Sequence, residues 1–251
     1  MCLRSATPMM ASKPDRPEVS VVIPTYNERE NILELLDRLA VILRGVRMEV
    51  VVVDACSPDG TGRLVADAAR RRPWLRVIHG APSSLSGSVL EGLRQAKGQV
   101  LCVMDADLSH DPALLPKMAD LVRQGHELVI ASRWMPGGGV EEWPAWRRTL
   151  SRMGAWMARR LLALPITDPL SGYFAMDHRF CAQAAPRVHP RGFKILLEFS
   201  VRGEPRRVAE VPLRFRNRQR GRSKLTVAVG WQFLLALADL AMERRGGALR
   251  R

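Results

Sequence analysis

A mostly parallel α/β sheet with helices on both faces is what this sequence predicts, and three observations carry the prediction. Short apolar runs alternate with helix-period stripes from Val19 to Ala131. The runs are apolar on consecutive residues, as in strands covered on both faces. Acidic side chains stand where these runs end, at Asp54 and at Asp105 and Asp107. That is the edge at which open α/β sheets bind ligands.

Taken in order, Val19 to Pro24 opens the fold as a β-rich run. Asn27 is expected to begin a helix, with Glu30 completing a capping box. Ile32, Leu35, Leu36, Leu39, Ile42 and Leu43 follow at helical spacing and bury one stripe. Met48 to Val53 is a second strand delivering Asp54, and Ser57-Pro58-Asp59-Gly60-Thr61 is a turn leading into a helix. Leu75 to Ile78 is a third strand. Ser83 to Ser88 reads as a small-residue loop before the stripe Val89, Leu90, Leu93 and Ala96. Val100 to Met104 is the strand that runs into Asp105 and Asp107, and Glu127 to Ala131 is a fifth. This β-α-β alternation gives the parallel sheet.

Past Ala131 the rhythm breaks. Pro136 to Gly139 reads as a flexible loop, followed by a basic helix from about Arg147 to Leu162 that sets Arg147 and Ser151 one turn apart. Asp168 to Gly172 is another loop, Gly192 to Val201 a helix, and Arg207 to Phe215 a single strand. Arg214, Arg216, Arg218, Arg220, Arg222 and Lys224 then form a cationic segment with no carboxylate to balance it. The expected organisation is a disordered lead-in at 1–18, one domain at 19–225, and an amphipathic helix with a basic tail at 226–251.

The net charge of +14 on 251 residues predicts an anionic partner. Nucleic acid is not expected, because the cations are not interleaved with base-stacking aromatics: Arg202 to Lys224 contains only Phe215. The four cysteines show no metal or disulfide spacing, which fits reduced thiols in a cytosolic setting. Met1 to Pro17 lacks the apolar core of a signal peptide. Thr226 to Met242 is below the ~20 apolar residues of a spanning helix. A soluble or peripheral protein is expected.

Asp105 and Asp107 share a face if the backbone there is extended. Two hard oxygen ligands with a substrate diphosphate suit Mg²⁺ or Mn²⁺. On spacing alone, an acidic loop capping the helix after Pro112 fits equally well.

These segments, in this order, resemble glycosyltransferase family 2, the GT-A (Rossmann-like) nucleotide-diphospho-sugar transferases. Within it they are most similar to the dolichol-phosphate or polyprenol-phosphate mannose synthases. The matching pieces are Val21 to Glu28, Val53-Asp54 through Thr61, Asp105 to His110, Ser132-Arg133-Trp134 with Gly137 to Gly139, Arg147-Arg148 with Ser151-Arg152, Asp168 with Ser171-Gly172, and Arg220 to Leu225. The resemblance implies an inverting enzyme that moves a sugar, mannose from GDP-mannose first of all, onto a polyprenyl or dolichyl phosphate. The setting it implies is the cytoplasmic face of an anionic membrane surface. It gives Pro24, Tyr26, Glu28 and Asp54 to the base and ribose, and Asp105 and Asp107 to the metal on the diphosphate. Arg220, Arg222 and Lys224 fall to the donor phosphates, and Arg133, Arg147 and Ser151 to the acceptor phosphate. Asp107 and Arg133 stand closest to the chemistry. His110 is read as a helix-start or supporting residue and not as a base.

Three departures from the family pattern stand out. Ala55-Cys56 occupies the place of a second aspartate, and Ser84-Leu85-Ser86 that of a glycine-rich loop. Ser109 replaces a glutamine that can join the metal shell, which makes Ser109 the weakest of the implied ligands. Two alternatives follow: the same fold with a UDP-glucose or UDP-N-acetylglucosamine donor, and a weakened nucleotide-sugar binder acting as a regulator.

Overall fold

The computed structural model describes residues 16–80, 84–189, 194–217 and 227–248. The lead-in up to residue 15 and the cations Arg220, Arg222 and Lys224 lie outside the described residues. The first half runs Val19–Thr25 (β1), Ile32–Ile42 (α1), Met48–Asp54 (β2), Thr61–Ala69 (α2), Leu75–His79 (β3), Leu85–Gln95 (α3), Val100–Val103 (β4), Leu115–Arg123 (α4) and Leu128–Ser132 (β5). The second half runs Gly139–Val140 (β6), Ala145–Leu161 (α5), Phe174–Asp177 (β7), His178–Ala184 (α6), Ile195–Arg202 (α7), Val208–Pro212 (β8), Arg214–Phe215 (β9) and Val227–Ala248 (α8).

Seven strands form one sheet in the order β3-β2-β1-β4-β7-β5-β8. All its pairings are parallel except those of β7, which runs antiparallel to β4 and to β5. Along β2, Val51 and Val53 enter one apolar cluster while Val50 and Val52 enter the other. Alternate side chains of a strand point to opposite faces, so both faces of the sheet are buried, as the unbroken apolar runs require. α1 and α4 cover one face, and α3, α6, α7 and α8 contribute to the cluster on the other. Where α3 crosses the sheet, residue 92 must be glycine. A Cβ there would collide with Val22 Cγ1 and Val53 Cγ2.

Several boundaries differ from the sequence reading. Helix α1 begins at Ile32, not at Asn27, whose φ of 60° places it in the left-handed region. The intervening residues are held by the neighbouring loop. The backbone N–H groups of Asn27, Glu28 and Arg29 donate to Ser57 Oγ, Thr61 Oγ1 and Asp59 Oδ2. Residues 85–88 belong to α3, because Ser84 Oγ accepts the Gly87 N–H at 3.0 Å as an N-cap. Gly139 is not part of a loop but pairs in a second, two-stranded sheet, β6 with β9. The expected single strand over 207–215 divides at Leu213, with β8 in the large sheet and β9 in the small one.

β7 and α6 were not expected. Phe174, Ala175 and Met176 are fully buried, yet a four-residue apolar run has no period that separates strand from core helix. Cys56, Cys102 and Cys181 are free thiols. Helix α8 packs Leu237 and Leu240 into the core while Leu234, Leu235 and Met242 are exposed. Its described part is therefore apolar on two sides rather than amphipathic.

Candidate active site

The C-terminal ends of β1, β2 and β4 lie side by side, since Thr25 pairs with Asp54 and Val22 with Val103. Asp54 is buried and tightly oriented. Its Oδ1 accepts Ser57 Oγ at 2.5 Å and Thr25 Oγ1 at 3.1 Å, and its Oδ2 accepts the Ser57 N–H at 3.0 Å. It stands in an open cleft of about 810 Å³ lined also by Cys56, Arg63, Arg70 and His79. Pro24 is buried at the end of β1, Tyr26 is exposed, and Glu28 accepts from Asn31 Nδ2 at 2.8 Å. Gly62 floors the cleft, because a Cβ there would lie 2.7 Å from Asp54 Oδ2 and 2.8 Å from His79 Nδ1.

The acidic motif is not extended. β4 ends at Val103, residues 106–108 form a bend and Leu108 sits at φ 60°, so the extended backbone on which the shared-face expectation rests stops before Asp107. Asp105 is partly exposed, with side-chain exposure of 32%. Asp107 is 2% exposed, and its Oδ1 accepts both the Ser109 N–H at 3.1 Å and the Ser109 hydroxyl at 2.5 Å. Ser109 is thus turned inward as an orienting donor to Asp107. Gly172 packs against the other carboxylate, since a Cβ there would sit 3.0 Å from Asp105 Oδ2.

On the far side of β4, Arg133 and Asp168 form a two-pronged fork. Nε donates to Oδ2 at 2.7 Å, Nη2 to Oδ1 at 2.9 Å, and the Arg133 backbone N–H adds a third bond at 3.1 Å. Asp168 is fully buried. Its loop is anchored by Glu210, which accepts the Thr167 and Asp168 N–H groups. Nε and one Nη2 hydrogen serve this fork, and the Nη1 hydrogens do not take part in it. Arg147 lies over the Trp143 ring at 4.2 Å, and Arg133 and Arg152 flank Trp134 at 5.4 and 5.6 Å. Ser151 is half-buried one turn further along α5.

Lys194 completes this cluster and was missed in the sequence. Burial lowers its pKa to about 8, assisted by the Arg133 charge and opposed by Asp168 and Asp105. It therefore sits within the field of the fork and of the acidic motif together. One signal was available: Lys194 is the N-cap of α7, where a cation opposes the helix dipole.

Residues 20–183 match the family model described as Glycosyl transferase family 2. The chain belongs to that family. A dolichol-phosphate mannosyltransferase of Pyrococcus furiosus is 41% identical over 86% of this chain, which spans 62% of that relative's length. One of Saccharomyces cerevisiae is 35% identical over 91% of this chain and 89% of its own. An undecaprenyl-phosphate mannosyltransferase of Micrococcus luteus is 34% identical over 92% and 97%. Among solved structures, glucosyl-3-phosphoglycerate synthase of Mycobacterium tuberculosis, crystallised with Mn²⁺, UDP and glucosyl-3-phosphoglycerate, superposes with a TM-score of 0.67. It covers 92% of this chain and 80% of that one at 20% identity. That likeness establishes the GT-A fold of this family 2 chain.

Among the described residues no group of three or more His, Cys, Asp or Glu could hold a metal ion. The solved neighbour crystallised with Mn²⁺ is consistent with a divalent cation at this fold's site. Such hard cations are held by one or two carboxylates and complete their shell with substrate phosphates and water. Asp105 and Asp107 are carboxylates of that donor type.

Proposed function

We propose that this protein transfers a mannosyl group from GDP-mannose to the phosphate of a polyprenyl or dolichyl lipid, inverting the anomeric carbon. The observation that carries the reading is the Arg133–Asp168 fork, a cation fixed by a buried carboxylate, with Lys194 in the field of both Asp168 and Asp105. The names of the mannosyltransferase relatives support the choice of substrates. Pro24, Tyr26, Glu28 and Asp54 take the base and ribose, with Arg220 and Lys224 as further donor-phosphate ligands. Arg133, Arg147 and Ser151 receive the acceptor phosphate.

A phosphate monoester of this kind has a second pKa near ~6, so its oxygen attacks the anomeric carbon without a general base. Asp105 and Asp107 would hold a divalent cation, which would supply positive charge against the departing diphosphate. The chain's own part is to orient: Ser109 fixes Asp107, and Asp168 fixes Arg133. Arginine suits this task because its planar donors meet phosphate oxygens two at a time.

The test is transfer by the purified protein with Mg²⁺ or Mn²⁺, a polyprenyl phosphate, and a panel of GDP-mannose, UDP-glucose and UDP-N-acetylglucosamine. Lipid-linked product from GDP-mannose alone is expected. Product from a UDP-sugar would replace the donor assignment, and nucleotide binding without any product would favour a regulator.

The lysine gives a pH signature. Lys194 loses its charge as pH rises through about 8. With protonated Lys194 taken as a ligand of the donor diphosphate held near Asp105, the Kd for GDP should rise about tenfold from pH 7 to pH 9. K194Q should bind more weakly and without this dependence, which calorimetry at the two pH values will show.

A lipid acceptor must be met at a membrane surface. No described helix is long and apolar enough to cross a membrane. Helix α5 instead exposes Trp146 (67%) and Trp156 (59%) together with Leu150, Met153 and Leu161. Arg148, Arg152, Arg159 and Arg160 are interleaved with them and also exposed. Amphipathic basic helices of this kind lie in the headgroup layer of anionic membranes. The docking face is therefore assigned first to α5, with exposed Leu234 and Leu235 of α8 as a second contribution. Changing both tryptophans to serine should weaken binding to anionic vesicles about tenfold and leave the Kd for GDP unchanged, as measured by vesicle sedimentation.

A further inference from the structure

We propose that His110 is a positioning residue that holds Asp105 in the geometry needed to bind a cation. The proposal rests on the reading of Asp105 as a metal ligand and adds the residue that makes it one. His110 is 2% exposed, and its ring is fixed from two sides. It stacks on Tyr173 with centroids 5.1 Å apart and planes 23° apart, and meets the edge of Phe215 at 5.5 Å.

Nδ1 of this fixed ring accepts the backbone N–H of Asp105 at 3.1 Å. That bond closes the loop from Asp105 to His110 and spans Leu108, whose positive φ is uncommon for a leucine. An accepting Nδ1 places the proton of a neutral ring on Nε2. Nε2 stands 3.9 Å from Asp105 Oδ2, beyond hydrogen-bond reach but close enough to act on the same carboxylate electrostatically. Gly172 keeps that carboxylate uncrowded, because a Cβ there would lie 3.0 Å from Oδ2 and 3.3 Å from His110 Cε1. One ring thus governs both the backbone and the side-chain environment of Asp105, while Ser109 does the equivalent for Asp107. Partners that orient a ligand in this way are worth about 10–100-fold in metal affinity.

The two ring nitrogens can be tested separately. In H110N the amide oxygen stands near the position of Nδ1 and can still accept the Asp105 N–H. H110Q places its amide near Nε2 and loses that acceptor, and H110F keeps the ring but loses both nitrogens. Free Mn²⁺ would be followed by electron paramagnetic resonance, with and without GDP, beside thermal melts. The expected result is a Mn²⁺ Kd raised about 10–100-fold in H110F and H110Q and close to wild type in H110N. Excess Mn²⁺ should restore kcat in the two weak binders. Wild-type Mn²⁺ affinity in folded H110F and H110Q would overturn the proposal. If H110F fails to fold, the contrast between H110N and H110Q decides. D105N is the control: loss of Mn²⁺ binding there with none in the His110 variants refutes the positioning role alone. Unchanged binding in D105N removes the ligand reading, and the proposal with it.

Discussion

The variant D107N should lose about 10²–10³-fold in kcat while melting close to wild type. The substitution separates charge from structure. Asp107 Oδ1 accepts two bonds from Ser109, one from N–H and one from the hydroxyl, and an asparagine oxygen can accept both. What is lost is one of two negative charges available to a cation on the diphosphate. D107A should lose at least as much activity and also stability, because it strands two donors in a site where Ser109 is fully buried. Leaving a buried donor unsatisfied costs about 1–3 kcal/mol. Kinetics at saturating donor and acceptor together with thermal melts make the comparison. Equal melting of D107A and D107N would show that the Ser109 bonds contribute nothing to the fold, and full activity in D107N would remove Asp107 from the metal site.

The sequence carried the central strands and the edge at which the site sits, because Val21–Ile23, Val50–Val53 and Val100–Met104 are unbroken apolar runs that lead into turn or acidic residues. It did not carry β7. Four apolar residues after Gly172 look the same whether they form a strand or core helix, and only the gap between β4 and β5 makes them a strand. The acidic motif was legible in composition but not in shape. Extended backbone was assumed past Val103, whereas the bonds from His110 and Ser109 bend the chain there. The fork was half legible. Arg133 was read as a phosphate ligand together with Arg147 and Ser151, and the carboxylate that fixes it lies 35 positions away, a pairing that no local pattern reveals. The aromatic support under Arg147 comes from Trp143, four residues before it, whose ring also meets the edge of Phe215.

Removing one side of the Arg133–Asp168 fork should give the largest loss of stability, and the two sides should not be equivalent. Breaking a buried pair costs about 3–5 kcal/mol. At about 2–4 °C per kcal/mol for a chain of this size, the expected fall in Tm is about 6–20 °C. R133M leaves a fully buried carboxylate with Lys194 as the nearby compensating charge. D168L leaves an arginine that is 11% exposed and whose backbone N–H has also lost its acceptor. The double variant R133M/D168L removes both charges together, so its cost should be smaller than the sum of the singles. A melt of the four proteins gives that coupling directly, and simple additivity would show that the fork is not a unit. The same variants reach back to Lys194. Arg133 depresses its pKa and Asp168 raises it. The pH midpoint for GDP binding should therefore move up in R133M and down in D168L. Opposite shifts from two variants that both destabilise the fold would be electrostatic in origin, because a general loosening of the site would move both midpoints the same way.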